Sequence, residues 1–496
     1  MNTKTPPAFP YAKAAFFFIA GLTLIRLTGL IASPLNLHGD EAQYWAWSRD
    51  FDFGYFSKPP MIAWLIGSTT AVFGSAEWAV RLSSPLLHGL TGLVLYFAGR
   101  KLGGPRTGLF AAMIYLLMPG VFLSSGIIST DVPLLLCWSI GLLAVLQMRE
   151  AASWRWAIVL GAAIGAGMLS KYAMLFFIPP LVLGALIETP TRKAMLSRYG
   201  LAVLIIAAVV ISPNIWWNVQ NEFATVAHTA ENTNMRGGIP FHPLKLVEFW
   251  GSQLGVFGPL TFVLLIAALV TVLRKRADKT ALVLAMFVLV PLLVISVQAL
   301  LSRANANWAV SAYPAGALLL ALIMSKSKWL KGGLWVNAGL GAVLSLAALS
   351  PAFADWAGMA NSFKRVRAWP QTIDHIAKLA AKGDDGQAYT AIATDNRIYY
   401  YGMLYYDLAG KSGLPLKVWV RGDHPNNHAE LTAPLLGGTD GPILIISYYN
   451  DVDSKASLAR DFESVDKLPE FRVDLGGGKQ RIIRPLIAQG YKTQDQ

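Results

Sequence analysis

Charge is scarce in this sequence. Only 14% of its 496 residues are Asp, Glu, Lys or Arg, against 54% hydrophobic, whereas soluble domains carry roughly 25% charged residues. Together with a mean hydropathy of +0.45, this excludes an ordinary soluble protein and describes a polytopic α-helical membrane protein. Cysteine is nearly absent: Cys137 stands alone, inside an apolar run, so there is neither a disulfide framework nor a Cys-based metal site. Gly103-Gly104, Gly237-Gly238 and Gly476-Gly477-Gly478 lack the flanking pattern of a phosphate or dinucleotide loop, which argues against a soluble nucleotide donor. His38, His228 and His242 fall in loops with no ligand-pair spacing between them or to Glu41. No metal site is assigned and no cofactor is called for, with a divalent metal left open. A net charge of +13 invites a nucleic-acid partner, but from Asp355 onward 17 basic residues balance 17 acidic ones. The whole excess therefore lies among the apolar segments, where it suits anionic lipid and membrane orientation rather than nucleic acid.

Apolar runs are what the sequence has in abundance. A first segment, Ala14 to Ser33, lacks a small-residue cleavage site and is expected to remain as an anchor. Further segments fall near 78–99, 107–125, 132–148, 156–170, 172–187, 200–213, 248–273, 280–300, 307–325 and 333–350. This predicts about 11 spans, up to about 13, because some of these segments are short. The interrupted run from Pro59 to Phe73 reads as an amphipathic helix lying in the interface, as does the aromatic stretch before it. With the N-terminus inside, inner segments hold 17 Lys and Arg and outer segments six, leaving aside the C-terminal part. The N-terminus is therefore expected in the cytoplasm and the first loop on the outer face. A second outer loop is expected between Ile211 and Leu246. Beyond Pro351 the pattern changes to β-rich runs at Ala388 to Thr394, Lys417 to Val420, Pro442 to Tyr448 and Gln480 to Ile483, with a helix at Pro370 to Ala381. The expected organisation is a membrane domain over 1–350 and a small outer α/β domain over 351–496.

The first outer loop holds the densest chemistry. His38-Gly39-Asp40-Glu41-Ala42-Gln43-Tyr44-Trp45-Ala46-Trp47 is followed by Ser57-Lys58-Pro59-Pro60. Asp40 and Glu41 read equally as solvated charges or helix caps, Asp40 resembling an N-cap, and as a general base held at headgroup depth by Tyr44, Trp45 and Trp47. Pro59 and Pro60 restrict the backbone at Lys58, which suits either a snorkelling lysine or a fixed cation for a lipid phosphate. Arg26, Arg81, Asp131, Lys171 and Arg303 lie within or at the ends of spans, where charge is costly and functional by default. Of these, Arg81, Asp131, Lys171 and Arg303 fall at outer ends, the side of Asp40 and Lys58. Such a group describes either a pocket for a phosphate and a hydroxylated partner or a salt-bridge network such as Asp131 with Lys171.

Asp40-Glu41-Ala42-Gln43-Tyr44, Gly54-Tyr55-Phe56-Ser57-Lys58-Pro59-Pro60, Ala79-Val80-Arg81-Leu82, Ser129-Thr130-Asp131-Val132-Pro133 and Asn214-Ile215-Trp216-Trp217-Asn218 together resemble the GT-C membrane glycosyltransferases that use polyprenyl-phosphate sugars. These include the protein O-mannosyltransferases, the lipid A aminoarabinose transferases and the lipopolysaccharide galacturonosyltransferases. The resemblance implies inverting transfer of a single sugar from a polyprenyl-phosphate donor to a lipid or glycan acceptor, lipopolysaccharide core or lipid A, on the periplasmic face of a bacterial inner membrane. It makes Asp40, with Glu41 beside it, the catalytic candidate, and Lys58 the cation on the donor phosphate; the placement of Arg81, Lys171 and Arg303 at outer span ends makes them further candidates for that phosphate. Tyr44, Tyr55 and Asp131 are expected in the substrate pocket. Gln43 and Ser57 depart from the aminoarabinose branch, which has an Arg and an acid there. The competing readings are a carrier or flippase of the same lipid-linked sugar, and a protein O-glycosyltransferase. The outer-face clustering of charge favours an enzyme over a carrier.

Overall fold

The structure, a computed structural model, describes residues 10–223, 225, 241–276, 278–384, 386–422, 425–437, 441–449 and 452–492. His228 and Arg236 lie outside the described residues. The chain forms two compact units. One comprises Met1–Ala32, Lys58–Leu65 and Arg81–Ser345; the other comprises Ser33–Ser57, Ile66–Val80 and Leu346–Gln496.

The first unit is a helical bundle. Among the described residues seven helices are long and apolar enough to cross a bilayer, or eight with a bent pair. The difference from the expected number lies in that pair, in two short apolar helices at 154–170 and 172–187, and in a hairpin. Ser83–Leu116 is helical on both sides of Gly103 (φ −151°) and Gly104 (φ 84°), which turn the chain just before Pro105. A Cβ on Gly99 would come within 2.9 Å of the Gly108 Cα, so the arms close backbone to backbone at these two glycines. Lys171 (φ −163°, ψ 133°) is extended and ends Trp154–Ser170, as its position between two apolar runs suggests.

Two sequence expectations change here. The segment near 248–273 is two helices, Pro243–Phe257 and Pro259–Lys275, bent by 111° at Gly258, whose φ of 101° only glycine adopts readily. The segment at 200–213 is not short, because Arg198–Gln220 runs through Pro213. Asn214, Trp216 and Trp217 are thus helical rather than part of a loop. Asn214 accepts from the Tyr172 hydroxyl at 2.8 Å and Asn218 donates to it at 3.2 Å, so both asparagines are tied to Tyr172 across the bundle.

The second unit is an α/β fold on a six-stranded sheet, ordered β2-β1-β3-β6-β4 with β5 also on β6. The strands are β1 Ala391–Thr394, β2 Leu416–Val418, β3 Ile443–Ser447, β4 Phe462–Lys467, β5 Phe471–Gly476 and β6 Lys479–Tyr491. β1 runs parallel to β2 and β3, whereas β6 is antiparallel to its neighbours. Strand alternation divides the core. Ile392, Leu444 and Ile446 pack with Trp369, Ile376 and Met403 on one face, and Ala393, Ile443 and Ile445 with Trp419, Leu458 and Phe462 on the other. Residues 33–57 fold as part of this unit. Asn36 Oδ1 accepts the backbone N–H of Trp369 at 3.0 Å, and the Tyr406 hydroxyl accepts from Leu37 N at 2.9 Å.

Candidate active site

The acidic pair sits at the start of the helix Gly39–Trp47, and its two members are used differently. The N-cap is His38, not Asp40: His38 Nδ1 accepts from Asp40 N at 3.2 Å. Glu41 Oε2 in turn accepts from His38 N at 2.9 Å, completing a reciprocal capping box. Glu41 is 2% exposed. Asp40 lies two residues past the cap position, and its side chain is 43% exposed.

Asp40 instead meets a cation that the sequence reading did not single out. Arg397 Nη1 donates to Asp40 Oδ1 at 2.9 Å and to Gln43 Oε1 at 2.5 Å. Arg397 opens the helix Arg397–Tyr405, whose N-cap Asn396 accepts from Ile398 N and Tyr399 N at 2.9 and 3.3 Å. One signal was available: β1 is a continuous apolar run, and the polar Asp395-Asn396-Arg397 follows at its carboxyl end, where parallel sheets place functional groups. Asp395 accepts from the Ser447 hydroxyl at 2.6 Å and Tyr448 N at 2.8 Å. Burial pushes its carboxyl upward despite these bonds.

The two helices touch at Gly39, where a Cβ would collide with Ile398. Gly39→Ala is therefore expected to cost about 1–3 kcal/mol, an overpacking penalty, and to lower activity by separating Asp40 from Arg397. Ile398→Ala added to Gly39→Ala should recover much of both losses, measured by thermal unfolding and turnover.

The other end of this helix is held by aromatic packing. Trp47 stacks on Tyr55 with ring centroids 4.9 Å apart, and His428 stands edge-on to Trp47 at 5.7 Å. Tyr55, expected to line a substrate pocket, has its hydroxyl within 2.8 Å of the Asp50 carbonyl and 3.0 Å of the Trp47 carbonyl. Burial pushes it up to about 12. Tyr44 is buried on the same helix, 8% exposed. Burial also lowers His428 from its ordinary value of 6.5, an effect larger than the opposing pull of Asp50 and Asp52. Because the unfolded chain then binds this proton more readily than the folded one, stability is lost as pH falls below about 6.5. Melting curves between pH 7.5 and about pH 5 should show that loss, with a shallower slope in His428→Phe.

The basic candidates lie in the other unit. Lys171 Nζ donates to Asp131 Oδ1 at 2.6 Å, and Asn307 Nδ2 to Asp131 Oδ2 at 2.7 Å, so Asp131 is engaged through both oxygens. Asp131 is the first residue of Asp131–Glu150, where the helix dipole also favours negative charge. Arg81 is 1% exposed, Lys58 half-buried and Arg303 exposed, in the loop after Lys279–Leu301. Arg26 donates from Nη2 to the Leu116 carbonyl at 2.6 Å and lies over the Phe122 ring.

The fold and the relatives of this chain define its class, the GT-C membrane glycosyltransferases that use polyprenyl-phosphate sugars. The chain belongs to this family. It is 36% identical over 350 residues to the lipid A galacturonosyltransferase RgtD of Rhizobium johnstonii, covering 68% of this chain and 72% of that protein. Residues 57–217 match the dolichyl-phosphate-mannose-protein mannosyltransferase family. An undecaprenyl phosphate-α-4-amino-4-deoxy-L-arabinose arabinosyl transferase of Pseudomonas fluorescens is 28% identical over 246 residues, 43% of this chain and only 42% of that one. The crystal structure of ArnT from Cupriavidus metallidurans in the apo state shares the fold, with a TM-score of 0.65 at 16% identity over 96% of this chain and 98% of that one.

Proposed function

We propose that this enzyme transfers a single sugar, in an inverting reaction, from a polyprenyl phosphate to lipid A or lipopolysaccharide core. The reaction takes place on the periplasmic face of the inner membrane, with a cytoplasmic N-terminus, a membrane domain within 1–350 and a periplasmic domain over 351–496 with which residues 33–57 and 66–80 fold. The relative named as a lipid A galacturonosyltransferase supports lipid A as acceptor and a hexuronate as the sugar. The observation that carries the mechanism is the half-exposed Asp40 carboxylate held by Arg397.

Asp40 takes the proton of an acceptor hydroxyl as the acceptor oxygen bonds to the anomeric carbon. The anomeric carbon–oxygen bond to phosphate breaks, and polyprenyl phosphate leaves with the electron pair. Lys58, Arg81, Lys171 and Arg303 offset the charge left on that phosphate, an electrostatic task like that of an oxyanion site. Tyr44 and Tyr55 shape the substrate pocket beside Asp40, and Glu41 supports the helix that presents Asp40.

The test is reconstitution. Full-length protein in nanodiscs receives polyprenyl-phosphate galacturonate with lipid A, and mass spectrometry follows both lipids. Stoichiometric free polyprenyl phosphate and hexuronate-bearing lipid A are expected. Donor translocation without cleavage would make the protein a carrier, and label appearing only on an added acceptor protein would move the acceptor class.

A further inference from the structure

We propose that Arg397 is a positioning residue for catalysis: it holds the Asp40 carboxylate ionised and fixes its orientation toward the acceptor. The inference rests on Asp40 being the base of the proposed reaction. One guanidinium nitrogen, Nη1, reaches both Asp40 Oδ1 and Gln43 Oε1. These residues lie about one turn apart on one helical face, so the bridge fixes two rotamers together.

The root of that guanidinium is itself immobilised. The Asn396 cap sets where its helix begins, and Ile398 seats against Gly39, whose missing Cβ permits the approach. The two ionisable neighbours of Asp40 on the same helix and cap do not substitute for it. His38 Nδ1 is 3.7 Å from Asp40 Oδ2, but that nitrogen is engaged in the helix cap through the Asp40 N–H. Glu41 has the wrong sign and is turned to the His38 backbone. Nor is fold stability a sufficient reason for the pair: Asp40 and Arg397 side chains are 43% and 38% exposed, and ion pairs that exposed contribute little to folding. A carboxylate beside a permanent cation stays ionised at lower pH than an isolated one. A base whose direction is fixed also avoids the loss that follows a small misplacement.

Arg397→Gln is expected to lower kcat by roughly 10- to 100-fold while KM for the polyprenyl donor changes little. The acid limb of its kcat–pH profile should move to higher pH. Arg397→Lys, which keeps the charge without the planar fork, should return the limb most of the way and recover only part of kcat. Both are measured on full-length protein in nanodiscs, with melting temperatures beside them and Asp40→Asn in parallel. An unmoved acid limb in Arg397→Gln, with Asp40→Asn inactive, overturns the role of Arg397 and leaves Asp40 as base. An active Asp40→Asn overturns both. Should Arg397→Gln not fold, Arg397→Met, neutral and of similar length, decides in its place: full kcat with an unmoved limb would reduce the pair to a structural contact.

Discussion

Asp40→Asn is expected to reduce sugar transfer by about 10²- to 10⁴-fold, the range for removing a general base, while the protein folds as before. The substitution is isosteric and keeps an oxygen that can accept from Arg397. It does not touch the helix cap, which belongs to His38 and Glu41. Because Asp40 is 43% exposed, losing its charge should change stability by less than about 1 kcal/mol. Glu41→Ala makes the contrast. Its carboxylate is buried and closes the capping box, so the expected loss is one of stability, about 0.5–2 kcal/mol. Activity per folded molecule should fall far less than in Asp40→Asn. Free polyprenyl phosphate released per minute, set against the melting temperature of each variant, separates the two acids. Equal inactivation of both at equal stability would mean that the pair acts as one unit.

The membrane part was largely legible because a bilayer imposes length and apolarity on each segment. What hydropathy could not show were the places where backbone geometry decides. Gly258 bends one apolar run into two helices, and Asn214 and Asn218 extend a helix beyond the point where apolarity ends. In the second unit the buried strands β1 and β3 stood out as continuous apolar runs. β4, Phe-Glu-Ser-Val-Asp-Lys, did not, since most of its residues are exposed or half-buried and no clean alternation survives. β5 was missed although it alternates, Val473 and Leu475 inward and Arg472 and Asp474 outward, because the alternation spans only five residues. The site was legible where its residues are close in sequence. Asp40, Glu41 and Gln43 share one helix, but Arg397 is 357 positions from Asp40. No periodicity links positions that far apart, and the Gln43 departure finds its partner only in the folded unit.

Asp131→Ala is expected to cost about 3 kcal/mol, the low end for breaking a buried ion pair, and to reduce accumulation of the protein in the membrane. Both carboxylate oxygens are engaged, one by Lys171 and one by Asn307, so the variant strands an ammonium and an amide at once. The low end applies because the Lys171 side chain is 23% exposed and partly solvated, while Asp131 is only 9% exposed. Stability alone does not reveal whether Lys171 also meets a donor phosphate, since every single substitution at this pair confounds the two roles. Removing both charges separates them. Asp131→Leu with Lys171→Met leaves no unpaired charge, and such replacements are often neutral or stabilising, so the double variant should fold better than Asp131→Ala. If Lys171 supplies positive charge to the departing phosphate, that well-folded double variant will still be slow, with kcat reduced and the deficit insensitive to donor concentration, as for an interaction that strengthens in the transition state. If the pair only holds helices together, activity will return with stability, and the phosphate will have to be met by Lys58, Arg81 and Arg303.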